Sequence, residues 1–165
     1  MAFDAFLKLG DVKGGPTDTA YKPEIVVREY SFGLSNPSSV GSPSGGAGAG
    51  KASFNDLAFT TPLGEASPKL LLACASGAHY DTAVLTLRRS GGTKPADFFK
   101  ITLKTVFVSA YSDAGASSDD TPTDSITLSF AAIRVDVFTQ NPSGGAPPPP
   151  SSAGWDRSKN APYAG

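Results

Sequence analysis

The segment from Ser67 to Arg89, SPKLLLACASGAHYDTAVLTLRR, sets the tightest limit on what this chain can fold into. It carries the one convincing helix in a sequence otherwise patterned for strands. Ser67 is placed to cap that helix, its hydroxyl taking a free amide of the first turn, and Pro68 suits the first helical position. Gly77 supplies the left-handed residue that ends many helices. Between them Leu70 to Ala75 is apolar on nearly every side, whereas a surface helix keeps a polar face. The expectation is a short helix covered twice, once by its own sheet and once by a loop or another subunit.

Elsewhere the chain alternates with the period of strands. Ala2 to Leu9 reads as a first strand with Phe3, Ala5, Leu7 and Leu9 on one face. Glu24 to Leu34 reads as a longer one, rich in β-branched and aromatic residues, and Phe54 to Thr60 as another. After Gly77, Ala83, Leu85 and Leu87 oppose Val84, Thr86 and Arg88. Phe99, Ile101 and Leu103 then share a face before the apolar phase slips to Val106, Val108 and Ala110, which predicts a bulge or a change of sheet near Thr105. The last strand slips likewise around Ala131-Ala132, from Ile126, Leu128 and Phe130 to Ile133, Val135 and Val137. Two long strands that change faces midway suit a strongly curved sheet or a small barrel.

Low-complexity stretches mark the organisation. Ser35 to Gly50 is Gly, Ser, Ala and Pro, and is expected to be a long flexible loop. Asn141 to Gly154, with prolines at Pro147 to Pro150, is expected to be an extended linker. The chain therefore divides into one β domain over 1–140 and a Pro/Gly-rich tail over 141–165.

Composition narrows the function. A net charge of −1, with no basic run interleaved with aromatics, argues against a nucleic-acid partner. No apolar run approaches the roughly 20 residues that span a bilayer, so no membrane insertion is expected. The start MAFDAFLKLG has no basic, then apolar, signal-peptide pattern. His79 is the only histidine; it and Asp81 could serve a nucleophile such as Cys74, but Cys74 sits in the apolar helix, where a thiol behaves as a small hydrophobe. Asp113, Asp119, Asp120 and Asp124 do not have the spacing of a calcium loop and read as a solvated hairpin. Gly45, Gly46, Gly48 and Gly50 precede Lys51, but Ala52 follows where a phosphate loop needs Ser or Thr. No cofactor, metal site or catalytic constellation is indicated.

Several collinear blocks resemble Hcp, the haemolysin-coregulated tube protein family of bacterial type VI secretion systems. DAFLKL at Asp4 to Leu9 with Lys13-Gly14, PEIVVREYSFG at Pro23 to Gly33, Gly50-Lys51-Ala52, and the helix with its following strand are similar to the family's successive blocks. Phe99 to Leu103, Val106 to Ser109, TDSITLSFAAIRVDVF, and AGWD with Asn160 continue the match. Lys22-Pro23 and the run Pro147 to Pro150 depart from it.

The resemblance implies a small antiparallel β-barrel of two sheets flanked by one short helix. It implies a non-enzymatic tube subunit whose copies close into six-membered rings. Those rings would stack, be capped by a spike protein, be expelled by a contractile sheath, and carry or shelter small effector proteins. Synthesis in the bacterial cytoplasm and export by the system itself would follow. Leu70, Leu71 and Cys74 become candidates for ring closure. Ser42, Gly45, Gly46, Gly48, Asp119 and Asp120 become candidates for ring stacking. The alternatives are a secreted monomeric β-sandwich that binds carbohydrate, and an effector enzyme using Cys74, His79 or Asp81.

Overall fold

A computed structural model describes residues 3–15, 23–37, 50–89, 96–140 and 147–165. The described strands are β1 (Phe3–Leu9), β2 (Ile25–Val27), β3 (Glu29–Ser31), β4 (Leu34–Ser35), β5 (Ser53–Phe54) and β6 (Leu57–Pro62). The helix α1 (Ser67–Ser76) follows, and then β7 (His79–Arg89), β8 (Ala96–Ala114), β9 (Thr123–Val137), β10 (Ser151–Asp156) and β11 (Ala161–Pro162).

The pairings run in a circuit, all antiparallel. β2 pairs β1, β1 pairs β7, β7 pairs β8, β8 pairs β9, β9 pairs β6, and β6 pairs β3. Only Arg28 separates β2 from β3, and its amide donates to the Thr60 carbonyl at 2.9 Å. Glu24 to Leu34 is thus not the single strand that its composition predicted. It leaves β1 at Arg28, joins β6, and breaks again before Gly33, because one segment has to serve two neighbours.

The predicted change of faces at Thr105 is present, but its cause is not a bulge there. Thr105 takes a left-handed backbone, φ 51°, while the register holds on either side, Lys104 opposite Ala132 and Val106 opposite Phe130. Both strands therefore switch faces together, which keeps Leu103 and Val106 in one core with Phe130 and Ile133. The register shift comes later, between Val108 and Ala110, where Ser109 is the extra residue. Beyond Ile133 the inward series fades, and Val137 is 41 % exposed.

The segment read as a tail contributes strands. β10 pairs β9 from Ser151 opposite Val137 to Asp156 opposite Ala132, alongside the half of β9 that β6 leaves free. Gly154 permits this close packing, since a Cβ there would lie 2.4 Å from the Tyr163 carbonyl oxygen and 2.7 Å from that of Ile133. Trp155 packs against the core from this strand.

Candidate functional site

α1 packs on β8 and presents two apolar faces. Ala66, Leu70 and Ala73 are buried on the inner one. Pro68, Leu71, Leu72 and Ala75, spaced i, i+3, i+4, i+7, form the outer one and are all exposed. Of the three candidates for ring closure, Leu70 lies wholly within the protein's own core, Cys74 is half-buried at its margin, and Leu71 is open at 52 %. Leu72, absent from those candidates, is more open still at 64 %, with Leu63 nearby in sequence at 42 %. Leaving a leucine in water instead of burying it forgoes about 1.5–3 kcal/mol. The spacing of Pro68, Leu71, Leu72 and Ala75 marks them as one stripe, and the packing of α1 on β8 makes that stripe the outer one.

The helix is mounted differently from the expectation. Ala66, not Ser67, occupies the cap position, and no side chain caps the first turn. The Ser67 hydroxyl accepts the Gly64 amide at 2.9 Å and donates to the Asp124 carboxylate. A fully buried carboxylate has a stronger claim on that hydroxyl than an amide that water can reach. The Tyr111 hydroxyl donates to the other Asp124 oxygen at 3.0 Å. Loss of solvation, reinforced by that hydrogen bond, pushes the Tyr111 phenol up to about 12. Asp124 is thus a structural anchor and stands apart from the exposed Asp113, Asp119 and Asp120. At the other end Gly77 takes the expected left-handed form, φ 67°.

Asp119 and Asp120 sit in an exposed turn between β8 and β9, where the Asp119 carboxylate accepts the Ala116 amide at 3.1 Å. The stacking candidates Ser42, Gly45, Gly46 and Gly48 lie outside the described residues. The base of that loop is fixed, because the Gly50 amide donates to the Pro37 carbonyl at 2.8 Å. His79 is exposed and packs on the Phe107 ring, 5.5 Å between centroids. Among the described residues no cluster of three His, Cys, Asp or Glu could hold a metal ion.

Two concave surfaces adjoin β10. An apolar groove of about 530 Å³ is lined by Phe32, Leu34, Phe54, Val135 and Trp155 among others. A more polar cleft of about 730 Å³ is lined by Lys51, His79, Thr105 and Arg157 among others. The Asp156 carboxylate orders the turn beside it, accepting the Ser158 and Lys159 amides at 2.9 and 3.0 Å. The Ser158 hydroxyl and then the Lys159 amide hold that carboxyl below the ordinary aspartate range. Neither the Arg157 cleft nor the Ser67–Asp124–Tyr111 network has a local sequence signature, since each is assembled from distant segments.

Comparison with known proteins adds to this geometry. A family model described as type VI secretion system effector, Hcp, matches residues 6–137. Protein hcp1 of Pseudomonas aeruginosa is 41% identical over 160 residues, which are 97% of this chain and 98% of that protein. The solved structure of a type six secretion system protein aligns with a TM-score of 0.89 at 28% identity, covering 98% of this chain and 100% of the other. Hcp1 from Salmonella typhimurium aligns with a TM-score of 0.80 at 28% identity, covering 99% and 100%.

Proposed function

Because the chain belongs to the Hcp family of type VI secretion proteins, we propose that it is a structural tube subunit whose copies close into six-membered rings through the outer face of α1. The observation that carries this reading is the exposed stripe of Pro68, Leu71, Leu72 and Ala75 on a helix whose other face is already buried. A ring built by rotation needs two unlike patches on each copy. The apolar groove bounded by Leu34, Phe54 and Val135 is the concave surface that matches the helix face in chemistry. Cys74, at the margin of α1, adjoins the interface without forming its centre.

Rings stack into a tube in this reading, with the loop 35–50 and the turn holding Asp119 and Asp120 at the contacts. Fixing a segment rich in Gly and Ser at a contact carries an entropic cost that keeps stacking reversible. The spike protein caps the tube, the sheath supplies the energy, and small effectors travel in the lumen. The role is mechanical, and Cys74, His79 and Asp81 have no catalytic part in it. Export follows from expulsion of the tube.

Deletion of Ser42 to Gly48 tests the reading. Rings should persist, seen as annular particles in negative stain, while secretion by cells carrying the system falls. Undiminished secretion would remove the loop from the mechanism, and the absence of annular particles from wild-type protein would remove the ring.

A further inference from the structure

We infer that Arg157 is the receptor for a carboxylate presented by a second copy of this chain across the stacking contact; the inference rests on the stacking reading above. The guanidinium lies against two rings, 5.7 Å from the Phe54 centroid and 5.0 Å from that of Phe130. Its Nη1 donates to the Phe130 carbonyl at 2.9 Å. These contacts hold the group in place and leave most of its donors without a partner among the described residues. Among the described residues no ion pair includes Arg157.

The surroundings are cationic. The cleft is lined by Lys51 as well as Arg157, and by no carboxylate. The acid that precedes Arg157 is engaged, because Asp156 holds the amides of its own turn. Asp56, which reaches the cleft through Ser129, is engaged by the Ser109 and Ser129 hydroxyls at 3.2 and 2.6 Å. An arginine already held beside two aromatic rings and by a backbone carbonyl loses little freedom on meeting a carboxylate, and its planar fork matches that group bidentately.

The occupant follows from position and charge. Lys51 lines the cleft and directly follows Gly50, where the loop assigned to stacking ends. A ring that contacts this chain at Gly50 therefore meets this cleft. The chain also offers the opposite charge, in exposed turn residues Asp119 and Asp120 with no lysine or arginine between 113 and 123.

Sedimentation of the full-length protein over a range of concentration and salt tests the inference. Arg157→Gln should keep rings of wild-type mass yet need about tenfold more protein to reach the same stacked fraction. Wild-type stacking should weaken with salt more steeply than stacking of the variant. Arg157→Lys, which keeps the charge but loses the fork, should fall between them, and it carries the test if Arg157→Gln disturbs the ring. Stacking that is indifferent to both substitutions overturns the inference and leaves the tube reading intact. Wild-type rings that never stack overturn both.

Discussion

Leu70 and Leu71 are adjacent in α1, yet Leu70 is wholly buried against the sheet while Leu71 is 52 % exposed. This pair separates folding from assembly. Leu70→Ala should cost about 2–5 kcal/mol of stability through the cavity it leaves. Leu71→Asp should change the stability of the isolated subunit by less than about 0.5 kcal/mol while abolishing self-association. Denaturant unfolding and light scattering on both variants check this. A Leu71→Asp protein that still assembles would remove the outer helix face from the interface.

Leu72 and the apolar groove give a distance test. In a Cys74→Ser background, Leu72→Cys and Leu34→Cys together should form intermolecular disulfides on mild oxidation, giving a ladder of covalent oligomers in a non-reducing gel. Either substitution alone should give at most dimers. Absence of the ladder from protein that still forms rings would assign a different patch to the second side of the interface.

Ser67 and Asp124 join the start of α1 to the start of β9. Ser67→Ala should lower stability by about 1–3 kcal/mol, because Asp124 loses a donor in a place that water does not reach. The helix should loosen locally, read as faster amide exchange over residues 67–73. Unchanged stability would mean that Tyr111 and other groups suffice to hold Asp124.

Tyr111 carries a pH dependence. Its folded pKa is pushed to about 12, above the value of about 10 expected for an unfolded chain. The protonated phenol is therefore favoured by folding, and its contribution is fully present below about pH 10. That contribution is lost as pH rises toward 12. Tyr111→Phe should be less stable than wild type at pH 8, and the gap should narrow by pH 11. A gap that is constant with pH would contradict the linkage.

Thr105, at φ 51°, bears a strain that glycine would relieve. A side chain in the left-handed region costs about 1–2 kcal/mol, and glycine in a strand gives back about 0.5–1 kcal/mol of that gain. Thr105→Gly should therefore be neutral to about 1 kcal/mol more stable by thermal unfolding. A marked loss would show that the Thr105 side chain stabilises the kink by contacts of its own.

Much of the antiparallel sheet was legible because strand periodicity records burial directly. Ala83, Leu85, Leu87, Ile101, Leu103, Ile126 and Leu128 alternate in sequence and are buried in the structure. The switch of faces at Thr105 was legible too, although not its cause, since a left-handed threonine leaves no compositional trace. The break at Arg28 was hidden because both halves of the segment favour strand; only the choice of neighbour divides them. Ser151 to Asp156 escaped notice because Gly, Ser and Ala carry little periodic signal, and their pairing depends on the free half of β9. For the candidate site, apolarity all round α1 pointed to a second cover, but telling Leu70 from Leu71 required the helix's orientation on β8. The cleft around Arg157 unites residues as far apart as 51 and 160, and no local pattern announces it.

The central claim is that the outer face of α1 closes copies of the chain into a ring, and the mass of the purified protein in solution tests it most directly. Light scattering should give about 101 kDa, six subunits of 16.9 kDa, with Leu71→Asp reduced to the mass of one. A wild-type mass of about 17 kDa, unchanged as concentration rises, would contradict it.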